Sequence, residues 1–173
     1  MGRDKALLPH RGTTFLGHAV LRLREVCPEV YILAGPEARY PSQGAPQKTD
    51  PGIGPLGAIH AGLESGRAGL FLAVDLPEVP VGLLAHLAGC LPGYDAVVPL
   101  SRRGPEPLCA AYGPACRDAI RRRLDGGERK ASAFFEDVRV LYLRESELHS
   151  FGNLGTIFLN VNHPGEIPSP ERS

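Results

Sequence analysis

The sequence has no tryptophan, a single methionine and only three lysines, at positions 5, 48 and 130. Charge of either sign is not in excess: Lys+Arg and Asp+Glu are both 19, for a formal net charge of zero. That balance excludes a broadly basic nucleic-acid binder and gives no electrostatic reason for an anionic membrane partner. No apolar run approaches the roughly 20 residues that a membrane-spanning helix needs; Gly69–Val74 is among the longest. Two charges stand before any apolar stretch in MGRDKALLPH, so no secretory signal is visible and the expected compartment is the cytoplasm. The four cysteines at 27, 90, 109 and 116 form no CxxC pair, which argues against a thiolate zinc site and for ordinary buried or half-buried thiols. The six histidines show no metal-ligand spacing, and no GxSxG or Ser/His/Asp pattern suggests hydrolytic nucleophile chemistry.

What is present reads as a single domain over residues 1–167, with 168–173 (PSPERS) as a flexible tail. Thr14–Val26 carries a helix-period apolar stripe behind Thr13 or Thr14 as N-cap. Val30–Ala34 and Gly69–Val74 are short, almost wholly apolar runs of the kind buried parallel strands need. Helices are expected at Pro55–Ser65, Val81–Cys90 and Pro114–Leu124, with a short one near Ser132–Glu136. Further strands are expected at Asp95–Leu100, Leu108–Tyr112, Val138–Leu143 and Thr156–Leu159. Strands alternating with helices of about ten residues predict a three-layered α/β fold around a mostly parallel sheet. In such sheets ligands sit beyond the carboxyl ends of the strands, which directs attention to the residues just after each one.

Four segments could carry the chemistry. In LFLAVDLP, Asp75 follows an apolar strand immediately; a carboxylate there can hold a hard cation such as Mg²⁺ against a phosphate, or merely cap the turn before Pro77. In DPGIGPLG, Asp50 opens a rigid Gly/Pro turn through Gly54 that ends at a helix N-terminus. Such a turn lets backbone approach a ligand closely, and it also serves as a plain connection. In GRDKALL, Lys5 stands beside Arg3, a pair that reads equally as surface charge. In FLNVNHP, Asn160 and Asn162 alternate at period two and so face one way on a strand, suited to a polar heterocycle or to closing a turn. The run Arg121–Arg123 lies on a helix beside Asp118 and Asp125 and reads as a solvated face.

In this order and spacing, GRDKALL, DPGIGPLGAI, LAVDLP and FLNVNHP closely resemble the molybdenum cofactor guanylyltransferase (MobA) family along nearly the whole chain. The resemblance implies a Rossmann-like nucleotidyltransferase fold. It also implies Mg²⁺-dependent transfer of GMP from GTP to molybdopterin with release of pyrophosphate. Lys5 matches the lysine on the GTP phosphates, Asp50 an aspartate of the nucleotide site, Asp75 the aspartate that holds Mg²⁺, and Asn160 and Asn162 a pair on the pterin side. Contact with other molybdenum-cofactor proteins is implied as transient. The family pattern places a strand and a glycine-rich loop, LAGGxSxRMGxDK, ahead of the lysine. This sequence opens at Met1-Gly2, inside that motif, and the expectation is that a longer native protein carries the rest. Alternatives are a relative that uses CTP or another phosphorylated acceptor, and a non-catalytic nucleotide-binding module.

Overall fold

The computed structural model describes residues 4–37 and 40–161. A two-residue hairpin, β1 (Pro9–His10) and β2 (Thr13–Thr14), leads into α1 (Phe15–Arg24). At its turn, Arg11 (φ 45°) and Gly12 (φ 81°) both have positive φ, the type I′ signature; only the glycine adopts it without strain. Thr14 caps α1, its Oγ1 accepting from Gly17 N at 3.0 Å. Two parallel three-residue strands follow, β3 (Ile32–Ala34) and β4 (Gln47–Thr49), then α2 (Pro55–Gly62). The chain continues through β5 (Gly69–Leu72), α3 (Val81–Cys90), β6 (Ala96–Ser101), β7 (Gly104–Pro105), β8 (Cys109–Tyr112) and α4 (Ala115–Asp125). β9 (Val140–Leu143), α5 (Glu145–Leu148) and α6 (Leu154–Ile157) complete it.

The larger sheet runs β5-β8-β6-β7, with β9 on β6. Period-two alternation divides its side chains between two helical layers. Ala96, Val98, Ala110 and Tyr112 pack with Leu56 and Ile59 of α2 and Ile120 of α4. Val97, Cys109 and Ala111 pack with Leu83, Leu84 and Leu87 of α3 on the other face. This is the expected three-layered α/β fold.

Its ladders correct two details of the sequence reading. β8 is antiparallel to both β5 and β6, so the sheet is mixed rather than mostly parallel. The link from Ser101 to Cys109 passes through the tight β6–β7 hairpin, too short for the crossover of about a dozen residues that parallel pairing needs. β5, β6 and β9 still run one way and share a carboxyl end. The strand expected at Thr156–Leu159 is instead α6 and the chain just after it. Asn153 caps that helix, its Oδ1 accepting from Gly155 N at 2.9 Å, and one helical turn buries both Ile157 and Phe158 against α3's layer.

Among the described residues no ladder joins β3 to β5. Between them lies a cavity of about 410 Å³, lined by Leu16 and Leu23 of α1, Leu33 of β3, Gly62 of α2, and Leu70 and Leu72 of β5. All four residues of β5 are accordingly only half-buried despite their apolar character. No described helix is long and apolar enough to cross a membrane.

Where α1, the β1–β2 hairpin and the loop after β5 meet, His18 is pushed down to about 4 from the ordinary 6.5. Burial is the main cause, followed by the positive field of Arg22, His10 and Arg11; a hydrogen bond to the Pro77 backbone works the other way. Arg22 Nε donates to His18 Nε2 at 2.9 Å, so the imidazole proton sits on the other nitrogen. His10, stacked on Phe15 at 4.7 Å, is also lowered. The unfolded chain binds a proton at His18 more tightly than the folded one. Stability therefore falls as pH drops from 6.5 towards 4 and levels off below. Discounted for a ring that is not fully buried, the loss is about 1–2 kcal/mol. The His18→Gln variant is expected to lose that part of the slope in denaturation midpoints measured across this range; identical slopes would remove His18 as the cause.

Candidate active site

Three of the residues singled out from the sequence come together at the shared carboxyl end of the sheet. Asp75 sits in the turn just after β5, where Leu76 N donates to Ala73 O and the apolar strand stops. Lys5 is in a 3₁₀ turn (Lys5–Leu7) and places Nζ 3.4 Å from Asp75 Oδ2, both side chains roughly one-third exposed (27% and 31%). Asn160, 155 residues further along the chain, turns Oδ1 towards the same ammonium at 3.5 Å. The backbone ties the third residue in: Val161 N donates to Asp75 O at 2.9 Å. An ammonium, a carboxylate and an amide thus converge on a solvent-accessible spot. Asn162 lies outside the described residues.

The supports of this group are residues that sequence reasoning missed. Asp4 holds the lysine's turn, one oxygen accepting from Ala6 N at 3.0 Å and the other from Tyr40 Oη at 2.8 Å. Burial, then this hydrogen bond, pushes the Tyr40 phenol up to about 12, so it remains a donor at neutral pH. Six residues after Lys5, Arg11 Nη2 donates to both carboxylate oxygens of Glu78, three residues after Asp75, at 2.9 and 2.8 Å. That ion pair fixes the Asp75 loop to the segment carrying Lys5 and gives a reason for the strained φ at Arg11. The Arg-Gly pair between short runs was the only local signal of that hairpin.

Asp50 and Gly54 stand beyond β4 instead. Asp50 N continues the β3–β4 pairing by donating to Ala34 O at 2.8 Å, and its Oδ1 accepts from Gly52 N at 2.6 Å, an Asx turn. Gly54, at φ 96°, is the N-cap of α2 in a conformation that favours glycine. The helix end offers an anion less than its sequence suggested: Pro55 has no N–H, and Leu56 N donates to Arg129 O at 3.4 Å. Arg129 thereby brings the segment after α4 against the Gly/Pro turn, a contact with no sequence signature.

Among the described residues no group of three or more His, Cys, Asp or Glu is placed to hold a metal. Asp75 alone nonetheless fits Mg²⁺, which commonly takes one or two carboxylates and completes its shell with waters and substrate phosphates. All four cysteines are free thiols, Cys109 and Cys116 buried, and burial pushes both of those upward.

Residues 1–141 match the MobA-like NTP transferase domain. A probable molybdenum cofactor guanylyltransferase from Pelotomaculum thermopropionicum is 32% identical over 171 residues, covering 96% of this chain and 83% of that protein. The crystal structure of molybdopterin-guanine dinucleotide biosynthesis protein A from Archaeoglobus fulgidus superposes with a TM-score of 0.76 at 27% identity, covering 96% of this chain and 88% of the other. The 2-C-methyl-D-erythritol 4-phosphate cytidylyltransferase of Thermus thermophilus has the same fold, with a TM-score of 0.70 at 19% identity over 94% and 90% of the two chains. The mixed sheet, the residues gathered at its carboxyl end and these likenesses agree: the chain belongs to the MobA-like nucleotidyltransferase family.

Proposed function

We propose that this chain transfers GMP from GTP to molybdopterin, releasing pyrophosphate, in a Mg²⁺-dependent reaction. The observation that carries the reading is the convergence of Lys5, Asp75 and Asn160 from three distant parts of the sequence. The names borne by the relatives support the choice of donor and acceptor.

A phosphate oxygen of the acceptor attacks the α-phosphorus of GTP in line; an O–P bond forms, the Pα–O–Pβ bond breaks, and pyrophosphate leaves. The attacking phosphate is already ionised, so no general base is needed. Such transfer depends on positioning and on positive charge where the equatorial and leaving oxygens gather negative charge. Lys5 supplies that charge from an ammonium held in place by Asp75 and Asn160. Mg²⁺ bound through Asp75 would neutralise triphosphate charge. Asn160 orients the lysine and presents its amide to the acceptor side. Asp50, at the end of β4, accepts from the N–H edge of guanine, and the backbone at Gly54 borders the nucleotide.

Calorimetric titration with Mg-GTP and Mg-CTP tests the donor. GTP is expected to bind at least about tenfold more tightly, because guanine presents N–H donors to a carboxylate that cytosine matches less well. A clear preference for CTP would replace the guanylyl reading with a cytidylyl one, and binding without pyrophosphate release in the presence of molybdopterin would leave only a nucleotide-binding module.

A further inference from the structure

The turn that carries Asp75 is short, and the place of its carboxylate depends on what holds the chain on either side. Upstream, Ala73 N donates to Leu108 O, just before β8, at 2.7 Å. Downstream, Pro77 and Glu78 are held from the β1–β2 hairpin and α1. Glu78 takes the ion pair with Arg11. Pro77 shares a backbone hydrogen bond with the His18 side chain. Proline has no N–H, so the imidazole donates and the Pro77 carbonyl accepts. Which nitrogen donates follows from Arg22. Its Nε, a donor only, meets His18 Nε2 at 2.9 Å. Nε2 is therefore the bare nitrogen, and Nδ1 carries the proton directed at Pro77 O.

The imidazole is confined on its other sides as well. His18 and Arg22 stand four residues apart on α1 and so share one of its faces. The His10 ring meets His18 edge-on, with centroids 4.7 Å apart and planes at 76°. His10 is itself only 6% exposed and stacked on the buried Phe15 at 4.7 Å, which leaves His18 little room to turn. A chain of contacts thus runs from the interior of α1 to the candidate site. Arg22 fixes the tautomer of His18, His18 holds Pro77 O, and two residues back Asp75 faces Lys5 at 3.4 Å.

We propose that His18 is a positioning residue for Asp75: its Nδ1–H, kept on that nitrogen by Arg22, anchors the turn through Pro77 O and so sets where the carboxylate meets its cation and Lys5. The inference rests on the role given to Asp75 under the proposed function and adds the residues that hold it in place. His18 touches neither substrate nor metal, and its contribution is geometric. A single hydrogen bond is worth about 1 kcal/mol, but a displacement of about 1 Å at a reacting group costs on the order of 10²-fold in rate.

The test titrates Mn²⁺, read directly by electron paramagnetic resonance, into the whole protein with GTP present, beside steady-state kinetics with GTP and molybdopterin. His18→Leu removes the donor. It is expected to weaken Mn²⁺ binding about tenfold and lower kcat about 10- to 100-fold, with the KM for molybdopterin unchanged. His18→Asn loses the same ring but carries an N–H where Nδ1 stood, and is expected to stay within about threefold of wild type on both readouts. Arg22→Met leaves the imidazole in place and lets its proton move to Nε2; losses of about 3- to 10-fold are expected. That variant lies away from the turn and gives the comparison should His18→Leu not fold. Wild-type Mn²⁺ affinity and kcat in His18→Leu and Arg22→Met, or equal losses in the leucine and asparagine variants, overturn the role of His18 while leaving guanylyl transfer standing. Mn²⁺ binding that follows the expected order, with no pyrophosphate released by any form, upholds His18 and removes guanylyl transfer instead.

Discussion

Replacing Asp75 with alanine is expected to lower pyrophosphate release from GTP and molybdopterin by about 10³-fold. The same change is expected to move the thermal midpoint by less than about 3 °C. The two halves of this expectation come from one location. Asp75 is outside the packed layers, in a turn whose backbone bonds, Leu76 N to Ala73 O and Val161 N to Asp75 O, do not use the carboxylate. The side chain's ion pair with Lys5 is partly solvated at 3.4 Å, and such pairs contribute at most about 1 kcal/mol. In the proposed transfer, by contrast, negative charge gathers on oxygens that the neighbouring ammonium, and a cation bound through this carboxylate, would offset. Asp75→Asn separates charge from shape: it keeps the turn and is expected to be nearly as slow as alanine. If Asp75→Ala turned over at the wild-type rate, the residue would be a turn former only.

Tyr112→Ala is expected to give the largest loss of stability, about 3–5 kcal/mol, a fall of roughly 10–15 °C in the thermal midpoint. Tyr112 is fully buried at the end of β8. Its ring meets Phe71 and Phe134 edge-on at 5.5 Å each and Phe135 at 6.4 Å, so alanine would leave a hole bordered by three aromatic rings. The hydroxyl donates to Pro107 O at 2.7 Å, and burial keeps the phenol protonated far above the usual range. Tyr112→Phe removes only that bond and is expected to cost about 1–2 kcal/mol through the unpaired carbonyl. Chemical denaturation of the two variants separates the ring from the hydroxyl; equal losses would mean the hydroxyl, not the packing, dominates.

The elements most legible in the sequence were those whose pattern is local. The apolar strip of β5 and the Thr14-capped α1 each carry their own periodicity and boundary signals, and the placement of Asp75 follows from the rule for strand ends. What failed depends on partners far along the chain. β8 reads as an apolar run whichever way it points; its direction is set by the brevity of the β6–β7–β8 link. α6 is one turn long, too short to display a period, and only Asn153 hints at its start. Lys5 and Asn160 were legible as candidates one by one. Their meeting is a product of topology, and the Arg11–Glu78 ion pair that secures it joins two residues ordinary in their own neighbourhoods.

The interruption between β3 and β5 divides the candidate site into parts of unequal tenacity. Asp75 and Asn160 are tied to the larger sheet by backbone bonds, Ala73 N to Leu108 O and Val161 N to Asp75 O, and the Lys5 side chain reaches them from a turn of its own. Asp50 ends a pair of three-residue strands that share no ladder with that sheet among the described residues, and Tyr40 joins this lobe to Asp4, whereas Gly54 caps α2, which packs on the larger sheet. Such a lobe separates from the rest at a free energy well below that of global unfolding. A nucleotide whose base rests on the lobe and whose phosphates rest on the larger sheet bridges both. Part of its binding free energy is then spent ordering the lobe, and the grip on the base is felt as rigidity at a distance from the phosphates.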